Sequence, residues 1–402
     1  MPHTMDLTEV RPVEQNAPWE SLPAAQQPDW RTDTEFARIR HDLATAPPLV
    51  TESEVATAHR ALETVASGSA MVLQVGDCAE SLGDANRSDT ARKVAVINAL
   101  AGHLSARTAL DVVRFGRMAG QYAKPRSNPV EMVDGVGIPP YRGDLINSIE
   151  PNAVARKHDP RRMLQAYQAS AVVLDTLRSR WRHTHNPVLG GPWSSHEALV
   201  IDYEGPLVRV DPATGHRYLG STHFPWVGDR TRQLDHAQVG LLASVRNPVG
   251  CKIGPTADPQ SVVDLCAVLD PERVPGRLTL ITRMGRASIA DVLPAIADAV
   301  RRAGHPVVWV CDPMHGNTVR TSSGRKTRHL TDLILEAKAF RRILQEHRLH
   351  PGGLHLEVAA TDVTECVGGQ VADEEALSHR YESLCDPRLN PDQALGLIDA
   401  VF

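Results

Sequence analysis

The sequence predicts one (β/α)8 TIM barrel preceded by an amino-terminal extension. Eight short segments rich in β-branched and other apolar residues have the pattern of buried strands, and most are separated by helical patterns. Several of these strands run directly into a thiol, an imidazole, a carboxylate or a cation, and barrel active sites lie at the carboxyl ends of strands. We place an arm and helices that pack on the barrel in residues 1–65, and the catalytic barrel in residues 66–402.

The extension begins with a stretch rich in proline, glutamine and tryptophan. We expect residues 1–35 to form an extended arm, with Trp19 and Trp30 as anchors on the main body. Residues 38–64 predict one or two helices, broken at the proline pair 47–48.

The predicted strands occupy residues 70–75, 110–115, 196–204, 223–230, 247–255, 276–285, 307–310 and 351–359. The fourth is the least regular, because Pro225 cannot donate to a sheet ladder. Further helices are predicted over residues 88–106, with Ser88 and Asp89 as caps, and over 160–182 and 231–245. Residues 124–147 are too long for a simple connection and predict a substrate-contacting loop.

The composition argues against several classes of partner. A formal net charge of −5 disfavours nucleic acid and membrane surfaces, and 4% aromatic residues disfavour a base-stacking surface. The six cysteines form no Cys-x-x-Cys pair, which is typical of reduced thiols in a cytosolic protein. No run approaches the ~18 apolar residues of a membrane span. We therefore expect a cytoplasmic protein without a membrane or nucleic-acid partner.

Four metal-ligand types occur at or beyond the predicted strand ends. Cys78 follows the first strand and His315 follows the seventh. Glu357 ends the eighth, and Asp386 lies in a loop beyond it. This mixture favours manganese, iron, cobalt or catalytic zinc. No ligand-spacing motif supports the site, so an alternative stays open: a buried apolar thiol, a hydrogen-bonded loop histidine and a buried ion pair.

Cations also gather at the predicted strand ends and in the loops after them: Arg117, Lys124, Arg126, Arg230, Lys252, Arg283, Lys326 and Arg328. In a net acidic protein they indicate anionic substrates, since arginine and lysine bind phosphate and carboxylate groups. The alternative is a set of solvated surface cations. We expect that alternative for Arg328, but not for Lys252 and Arg283, whose flanks are apolar strand.

A series of long motifs adds a family resemblance. GDCAES, RMAGQYAKPRS, YRGDLIN, SSHEALVIDYE, GDRTRQLD, NPVGCKIGP, LITRMGR, CDPMHGNT, GRKTRH, LHLEV, TECVGG and YESLCDPRLN occur in this order. From about Trp19 to its end, the chain resembles type II 3-deoxy-D-arabino-heptulosonate 7-phosphate (DAHP) synthases. The resemblance implies a TIM barrel that condenses phosphoenolpyruvate with erythrose 4-phosphate, the first step of the shikimate pathway.

The resemblance also implies roles for individual residues. The metal ligands would be Cys78, His315, Glu357 and Asp386, with Mn²⁺ favoured and Co²⁺, Fe²⁺ or Zn²⁺ as alternatives. Phosphoenolpyruvate would contact Arg117, Lys124, Trp226, Asp229, Arg230, Lys252 and Arg283, and erythrose 4-phosphate would contact Arg126, Ser127 and Lys326. Lys124, Cys78 and His315 would be catalytic. The family has glutamate where this chain has Asp229, which leaves the role of that carboxylate open.

Further expectations concern water activation, regulation and assembly. Lys124, Glu197 and a metal-bound water are the candidates for activating water, although Glu197 could instead be structural. Family members that respond to aromatic amino acids carry extra helices before the HEAL strand. The 47 residues from Ser148 to Ser194 leave no room for them. We therefore expect a feedback-insensitive enzyme, resembling the synthases of phenazine clusters, that forms a homo-oligomer, most simply a dimer.

Three other functions stay open. An aminoDAHP synthase would use an amino-sugar phosphate in place of erythrose 4-phosphate. Another metal-dependent lyase on the same barrel would share the metal ligands without needing both phosphate clusters. A non-catalytic metal-binding scaffold would be expected to lose ligands or cations, and none is lost here.

Overall fold

The chain forms a closed barrel of eight parallel strands, which confirms the predicted fold class. The structure is a computed structural model and describes residues 18–133, 135–181 and 190–402. The barrel strands are β1 (Ala70–Gly76), β2 (Asp111–Arg117), β5 (Trp193–Glu197), β8 (Phe224–Val227), β9 (Val249–Ile253), β10 (Leu278–Thr282), β11 (Val308–Cys311) and β14 (Pro351–Glu357). They follow one another around the barrel in chain order, and β14 closes it on β1.

Short hairpins and helices connect these strands. The antiparallel hairpins are β3 (Glu131–Val133) with β4 (Val136–Ile138), β6 (Val208–Val210) with β7 (Arg217–Leu219), and β12 (Val319–Arg320) with β13 (Lys326–Thr327). The helices are α1 (Phe36–Thr45), α2 (Glu52–Ala66), α3 (Arg87–Thr108), α4 (Arg162–Trp181), α5 (Ile201–Glu204), α6 (Ala237–Ala243), α7 (Pro259–Leu269), α8 (Ile289–Ala303), α9 (Leu330–Glu346) and α10 (Pro391–Val401). Turns of 3₁₀ helix lie at Pro18–Ser21, Leu82–Asp84, Gly205–Leu207 and Ala376–Ser378. Within the described residues, no helix is long and apolar enough to span a membrane.

Helix α2 closes the amino-terminal end of the barrel. It starts with a capping box, in which Thr51 and Glu54 exchange backbone and side-chain hydrogen bonds. Its buried Leu62 and Val65 join the apolar side chains of the barrel interior. Gly276, just before β10, lies so close that an added Cβ would come within 2.5 Å of the helix backbone. A site inside the barrel must therefore open at the carboxyl ends of the strands.

The extension behaves largely as predicted. Trp19 and Trp30 are 3% and 2% exposed, so both are buried anchors. The indole N–H of Trp30 donates to Asp202 Oδ2 at 3.1 Å. The proline pair 47–48 separates α1 from α2, as expected. Residues 1–17, which include the first half of the predicted arm, lie outside the described residues.

Several predicted boundaries are wrong for identifiable reasons. The third strand ends at Glu197, and α5 follows it, because buried Glu204 accepts hydrogen bonds from His196 and Ser221 there. Helix α3 is capped by Asn86, whose Oδ1 accepts the N–H of Asp89, so the predicted caps are helical residues. Helix α6 is shorter than predicted, and the loop 124–147 contains the β3–β4 hairpin.

Candidate active site

The carboxyl ends of the barrel strands surround a cavity of about 320 Å³. Its lining is Lys124, Pro125, Arg126, Ser127, Asn128, Glu197, Gly228, Asp229, Arg230, Lys252, Arg283, His315, Thr318, Arg320, Lys326 and Asp386. Seven of these residues are lysine or arginine and three are aspartate or glutamate, although the chain as a whole is net negative. The cavity is thus suited to ligands that carry several negative charges.

Six of the eight predicted cations line this cavity: Lys124, Arg126, Arg230, Lys252, Arg283 and Lys326. Arg117 and Arg328 lie below it and bind Glu357 instead. Trp226 is also buried below, with the Arg117 guanidinium 5.3 Å from its ring centroid. The predicted substrate contacts are therefore brought together, except that Arg117 and Trp226 form the support beneath the cavity.

Glu357, the last residue of β14, is the centre of this buried charge network. Its Oε1 accepts from Arg117 at 2.9 Å and from Lys124 at 3.3 Å, and its Oε2 accepts from Arg328 at 2.8 Å. Burial would raise the pKa of Glu357, but His315 and these cations hold it well below its ordinary value. The carboxylate is therefore ionised.

The expectation that Arg328 is a solvated surface cation is wrong. Its side chain is 0% exposed and donates to Glu357. Hairpin β12–β13 returns the chain to the barrel mouth, and Arg328 directly follows β13. A buried carboxylate needs such partners, because an uncompensated buried charge costs several kcal/mol.

Three of the four predicted metal ligands converge. Ligand atoms of His315, Glu357 and Asp386 all lie within 4.8 Å of one another. Cys78 lies beside them rather than among them, with Sγ accepting the backbone N–H of Asp386 at 3.5 Å. A hydrogen bond from Cys385 holds the pKa of the Cys78 thiol well below its ordinary value, which favours the thiolate that binds metals.

The imidazole and carboxylate donors fit a divalent transition metal. In this structure, the ammonium groups of two lysines lie against the Asp386 carboxylate and balance its charge. Lys124 Nζ lies 2.6 Å from one oxygen of Asp386, and Lys326 Nζ lies 2.7 Å from the other. Two ammonium groups thus gather where imidazole and carboxylate donors converge. Ligands bound at about 2.0–2.3 Å lie within about 4.6 Å of each other, which is close to the observed spacing.

Asp312 orients His315. Asp312 Oδ2 lies 2.7 Å from Nδ1 of the imidazole, while Nε2 faces Glu357 Oε1 at 3.1 Å. The carboxylate thereby fixes the ring so that Nε2 is directed at the ligand cluster, as second partners of metal-binding histidines do. Asp312 also accepts from Lys252 at 2.7 Å, which links the cluster to the basic wall.

Asp229 holds cations rather than standing free in the cavity. Its Oδ1 accepts from Gly254 N–H at 2.9 Å and from Arg232 Nε at 3.0 Å, and its Oδ2 accepts from Arg283 at 2.7 Å. An added Cβ at Gly254 would lie 2.4 Å from Asp229 Oδ2, so glycine makes room for this carboxylate. The residue that departs from the family motif is thus a support for Arg283.

Five other cavity residues were not among the predicted contacts: Pro125, Asn128, Gly228, Thr318 and Arg320. Arg320 pairs with Lys326 across the β12–β13 hairpin, which places both cations at the cavity. The Thr-Ser-Ser-Gly run at residues 321–324 was the available turn signal for this hairpin. Ser127 Oγ accepts from Arg230 at 3.0 Å and joins two of the loops.

Comparison with known proteins agrees with this geometry. The family model described as class-II DAHP synthetase family matches residues 14–188 and 186–401. The chain belongs to this family. A class-II DAHP synthetase is an enzyme, so the basic cavity is the candidate active site of a catalyst.

Two relatives match this chain over nearly the whole length of both proteins. A probable phospho-2-dehydro-3-deoxyheptonate aldolase of Pseudomonas fluorescens is 43% identical over 378 positions, with 94% of each chain covered. The phospho-2-dehydro-3-deoxyheptonate aldolase of Streptomyces coelicolor is 40% identical over 428 positions, again with 94% of each chain covered. For the same coverage of this chain, the second alignment is 50 positions longer (428 against 378), so that relative has segments this family member lacks.

A solved phospho-2-dehydro-3-deoxyheptonate aldolase from Francisella tularensis is 14% identical, with 91% of this chain and 96% of that chain covered. The TM-score between the two structures is 0.49. The fold assignment of this family member therefore rests on its own strand order.

Proposed function

We propose that this protein is a DAHP synthase, which converts phosphoenolpyruvate, erythrose 4-phosphate and water into DAHP and phosphate. The observation that supports this most strongly is the basic cavity directly beside the His315, Glu357 and Asp386 cluster. Both substrates are phosphorylated and one also bears a carboxylate, which suits seven lining cations. The named activity of the relatives agrees.

The proposal includes a divalent metal, with Mn²⁺ favoured and Co²⁺, Fe²⁺ or Zn²⁺ as alternatives. His315, Glu357 and Asp386 would hold it, with Cys78 approaching from the side. When bound, such an ion supplies Lewis-acid polarisation of the aldehyde oxygen of erythrose 4-phosphate.

The chain's own residues would bind and orient the two polyanions. Lys252, Arg283 and Arg230 lie on the side of the cavity formed by β8 to β10, and we assign them to phosphoenolpyruvate together with Lys124. We assign the loop and hairpin side, with Arg126, Ser127 and Lys326, to erythrose 4-phosphate. Fixed cations offset the repulsion between the substrates and hold them in reacting geometry.

The reaction forms a bond between C3 of phosphoenolpyruvate and the aldehyde carbon, whose oxygen takes up a proton. Water adds hydroxide at C2 and gives up a proton, and phosphate then leaves by cleavage of its C–O bond. We assign Glu197 as the proton acceptor for this water, because it lines the cavity and burial raises its pKa. Its Oε1 is enclosed beside Gly228 without a hydrogen-bond partner among the described residues.

We expect Glu197→Gln to lower kcat by about 10²-fold, the lower end of general acid–base effects, with little change in either KM. Initial rates at saturating substrate measure this, and the pH profile of the variant should lose the acidic limb that reports ionisation of Glu197. A change in kcat below about twofold would assign Glu197 a structural role.

The alternative functions differ in the substrates that support consumption of phosphoenolpyruvate. Purified protein with Mn²⁺ should consume phosphoenolpyruvate, followed by its ultraviolet absorbance, when erythrose 4-phosphate is present. Faster consumption with the amino-sugar phosphate would identify an aminoDAHP synthase. Consumption that needs neither aldose would indicate another metal-dependent lyase, and no turnover with full metal occupancy would favour the scaffold.

We also propose that the enzyme is insensitive to phenylalanine, tyrosine and tryptophan. Helix α4 fills residues 162–181, and residues 182–189 lie outside the described part of the chain. This chain lacks segments that the Streptomyces coelicolor protein has, and we infer that these include the added helices. Feedback inhibition requires two states of the enzyme that bind the inhibitor with different affinity, and the added helices would provide them in the responsive family members.

Initial rates with each aromatic amino acid at millimolar concentration, alone and in pairs, should stay within experimental error of the untreated rate. Inhibition by any of them would contradict this proposal. A role in phenazine biosynthesis, a cytoplasmic location, a homodimer and the division at residue 65 stay predictions that belong to the same account.

A further inference from the structure

Glu336 is a buried carboxyl group behind the active-site loops. It lies on α9, is 0% exposed, and is absent from the cavity lining. Burial raises its pKa to about 8. An apolar side chain would fill the same position without the cost of burying a carboxyl group. The position therefore calls for an explanation in terms of its hydrogen bonds.

Glu336 accepts one hydrogen bond from each of two loops. Its Oε1 accepts the backbone N–H of Gly285, in the loop after β10, at 2.9 Å. Its Oε2 accepts from Asn317 Nδ2, in the loop after β11, at 2.6 Å. Both neighbours are donors, and both hydrogen bonds lower the pKa that burial raises. The position therefore favours an ionised carboxylate with two acceptor atoms, which an amide does not provide.

The Asn317 amide cannot simply turn over to suit a different neighbour. Its Nδ2 also donates to Pro313 O at 2.8 Å, and its Oδ1 accepts the backbone N–H of Arg286 at 2.9 Å. A reversed amide would place oxygen against the Pro313 carbonyl and nitrogen against the Arg286 N–H. The donor that faces Glu336 is thus fixed by its surroundings.

The two loops carry essential parts of the proposed active site. Arg283 is two residues before Gly285, and His315 is two residues before Asn317. Arg283 Nη2 donates to the backbone oxygen of His315 at 2.9 Å. The loops are also pressed together, since an added Cβ at Gly285, whose φ is +79°, would lie 2.7 Å from Gly316 O. A small shift of either loop would therefore move the Arg283 guanidinium relative to the imidazole.

We propose that Glu336 is a positioning residue that holds the loop of Arg283 and the loop of His315 in register through its two acceptor bonds. This inference rests on the proposed function, because it concerns the binding of phosphoenolpyruvate at Arg283. Glu336 acts through the two loops and does not touch substrate.

The test is a set of two single variants and their combination. Glu336→Gln places an amide donor against a donor, so KM for phosphoenolpyruvate should rise about 10-fold while KM for erythrose 4-phosphate changes less than about 2-fold, the loss of one or two hydrogen bonds. Asn317→Asp places a second carboxyl group against that of Glu336 and should raise KM for phosphoenolpyruvate further than Glu336→Gln does. In the double variant, the amide introduced by Glu336→Gln can donate to the carboxylate introduced by Asn317→Asp. Activity should therefore recover in part relative to the single Asn317→Asp variant, because the carboxylate at position 317 still faces the Pro313 carbonyl.

Asp332→Asn is the matched control, because Asp332 is also on α9 and binds the exposed Arg286 side chain at 2.8 Å outside the cavity. It should leave both KM values unchanged. Thermal unfolding of every variant separates misfolding from misplacement. A Glu336→Gln enzyme with unchanged KM for phosphoenolpyruvate, or a double variant no better than Asn317→Asp, would overturn the proposal.

The positioning role of Glu336 can be tested even if the protein is not a DAHP synthase. If wild-type protein fails to turn over, the proposed function fails. Calorimetric titration of wild type and Glu336→Gln with phosphoenolpyruvate alone then decides the positioning role. Binding that is about 10-fold weaker in the variant supports that role, and equal affinity contradicts it.

Discussion

Replacing Lys252 with alanine is expected to lower kcat/KM for phosphoenolpyruvate by about 10²–10⁴-fold. Lys252 is 5% exposed at the end of β9 and lines the cavity. Charge-assisted hydrogen bonds to the substrate contribute about 1.5–3 kcal/mol each, and the variant would lose two or more of them. The change also removes the 2.7 Å ion pair between Lys252 and Asp312, and that buried carboxylate keeps its contact with His315 and two backbone N–H groups.

Steady-state kinetics with each substrate varied in turn measure this effect. KM for phosphoenolpyruvate should rise more than KM for erythrose 4-phosphate. Arg283→Ala should show the same asymmetry. Arg286→Ala is the control, because this exposed neighbour pairs with Asp332 and does not line the cavity. Equal effects on both substrates would assign Lys252 a structural role.

Replacing Cys78 with serine is expected to abolish tight metal binding and, with it, nearly all turnover. A thiolate is a far better ligand for a transition metal than a hydroxyl group. Chelator should likewise abolish turnover of the wild-type enzyme, and Mn²⁺ or Co²⁺ should restore it. Equilibrium dialysis with Mn²⁺ and elemental analysis report binding independently of activity.

Cys251→Ser is the control for this experiment. Cys251 is a buried free cysteine on β9 and does not line the cavity, so metal content should be unchanged. Full activity in metal-stripped protein, verified by elemental analysis, would contradict the metal requirement. Normal metal content in Cys78→Ser would confine the ligands to His315, Glu357 and Asp386.

The sequence was informative where chemistry coincides with strand ends. Apolar β-branched runs identify the barrel strands, and residues directly after such runs must lie at one end of the barrel. His315, Glu357 and Lys252 were predictable in this way. Pro225 lies within β8 opposite His196 of β5, whereas pairing of β8 with β9 begins at Trp226.

Contacts between distant segments could not be predicted in the same way. Arg328 looked exposed because its neighbours in the sequence are polar, yet Glu357 binds it across 29 positions of the chain. Asp229 was assigned to phosphoenolpyruvate by the family resemblance alone, and no local pattern indicates that its oxygens also bind Arg232, Arg283 and a backbone amide. The Asn86 cap was missed because neighbouring residues have equally suitable side chains.

The most direct test of the whole account is the stoichiometry of phosphate release by metal-loaded protein. With Mn²⁺ and both substrates, one phosphate should appear for each phosphoenolpyruvate consumed and each DAHP formed, and omission of erythrose 4-phosphate should stop the release. Phosphate release without erythrose 4-phosphate, or no DAHP from fully metal-loaded protein, would contradict the proposed condensation.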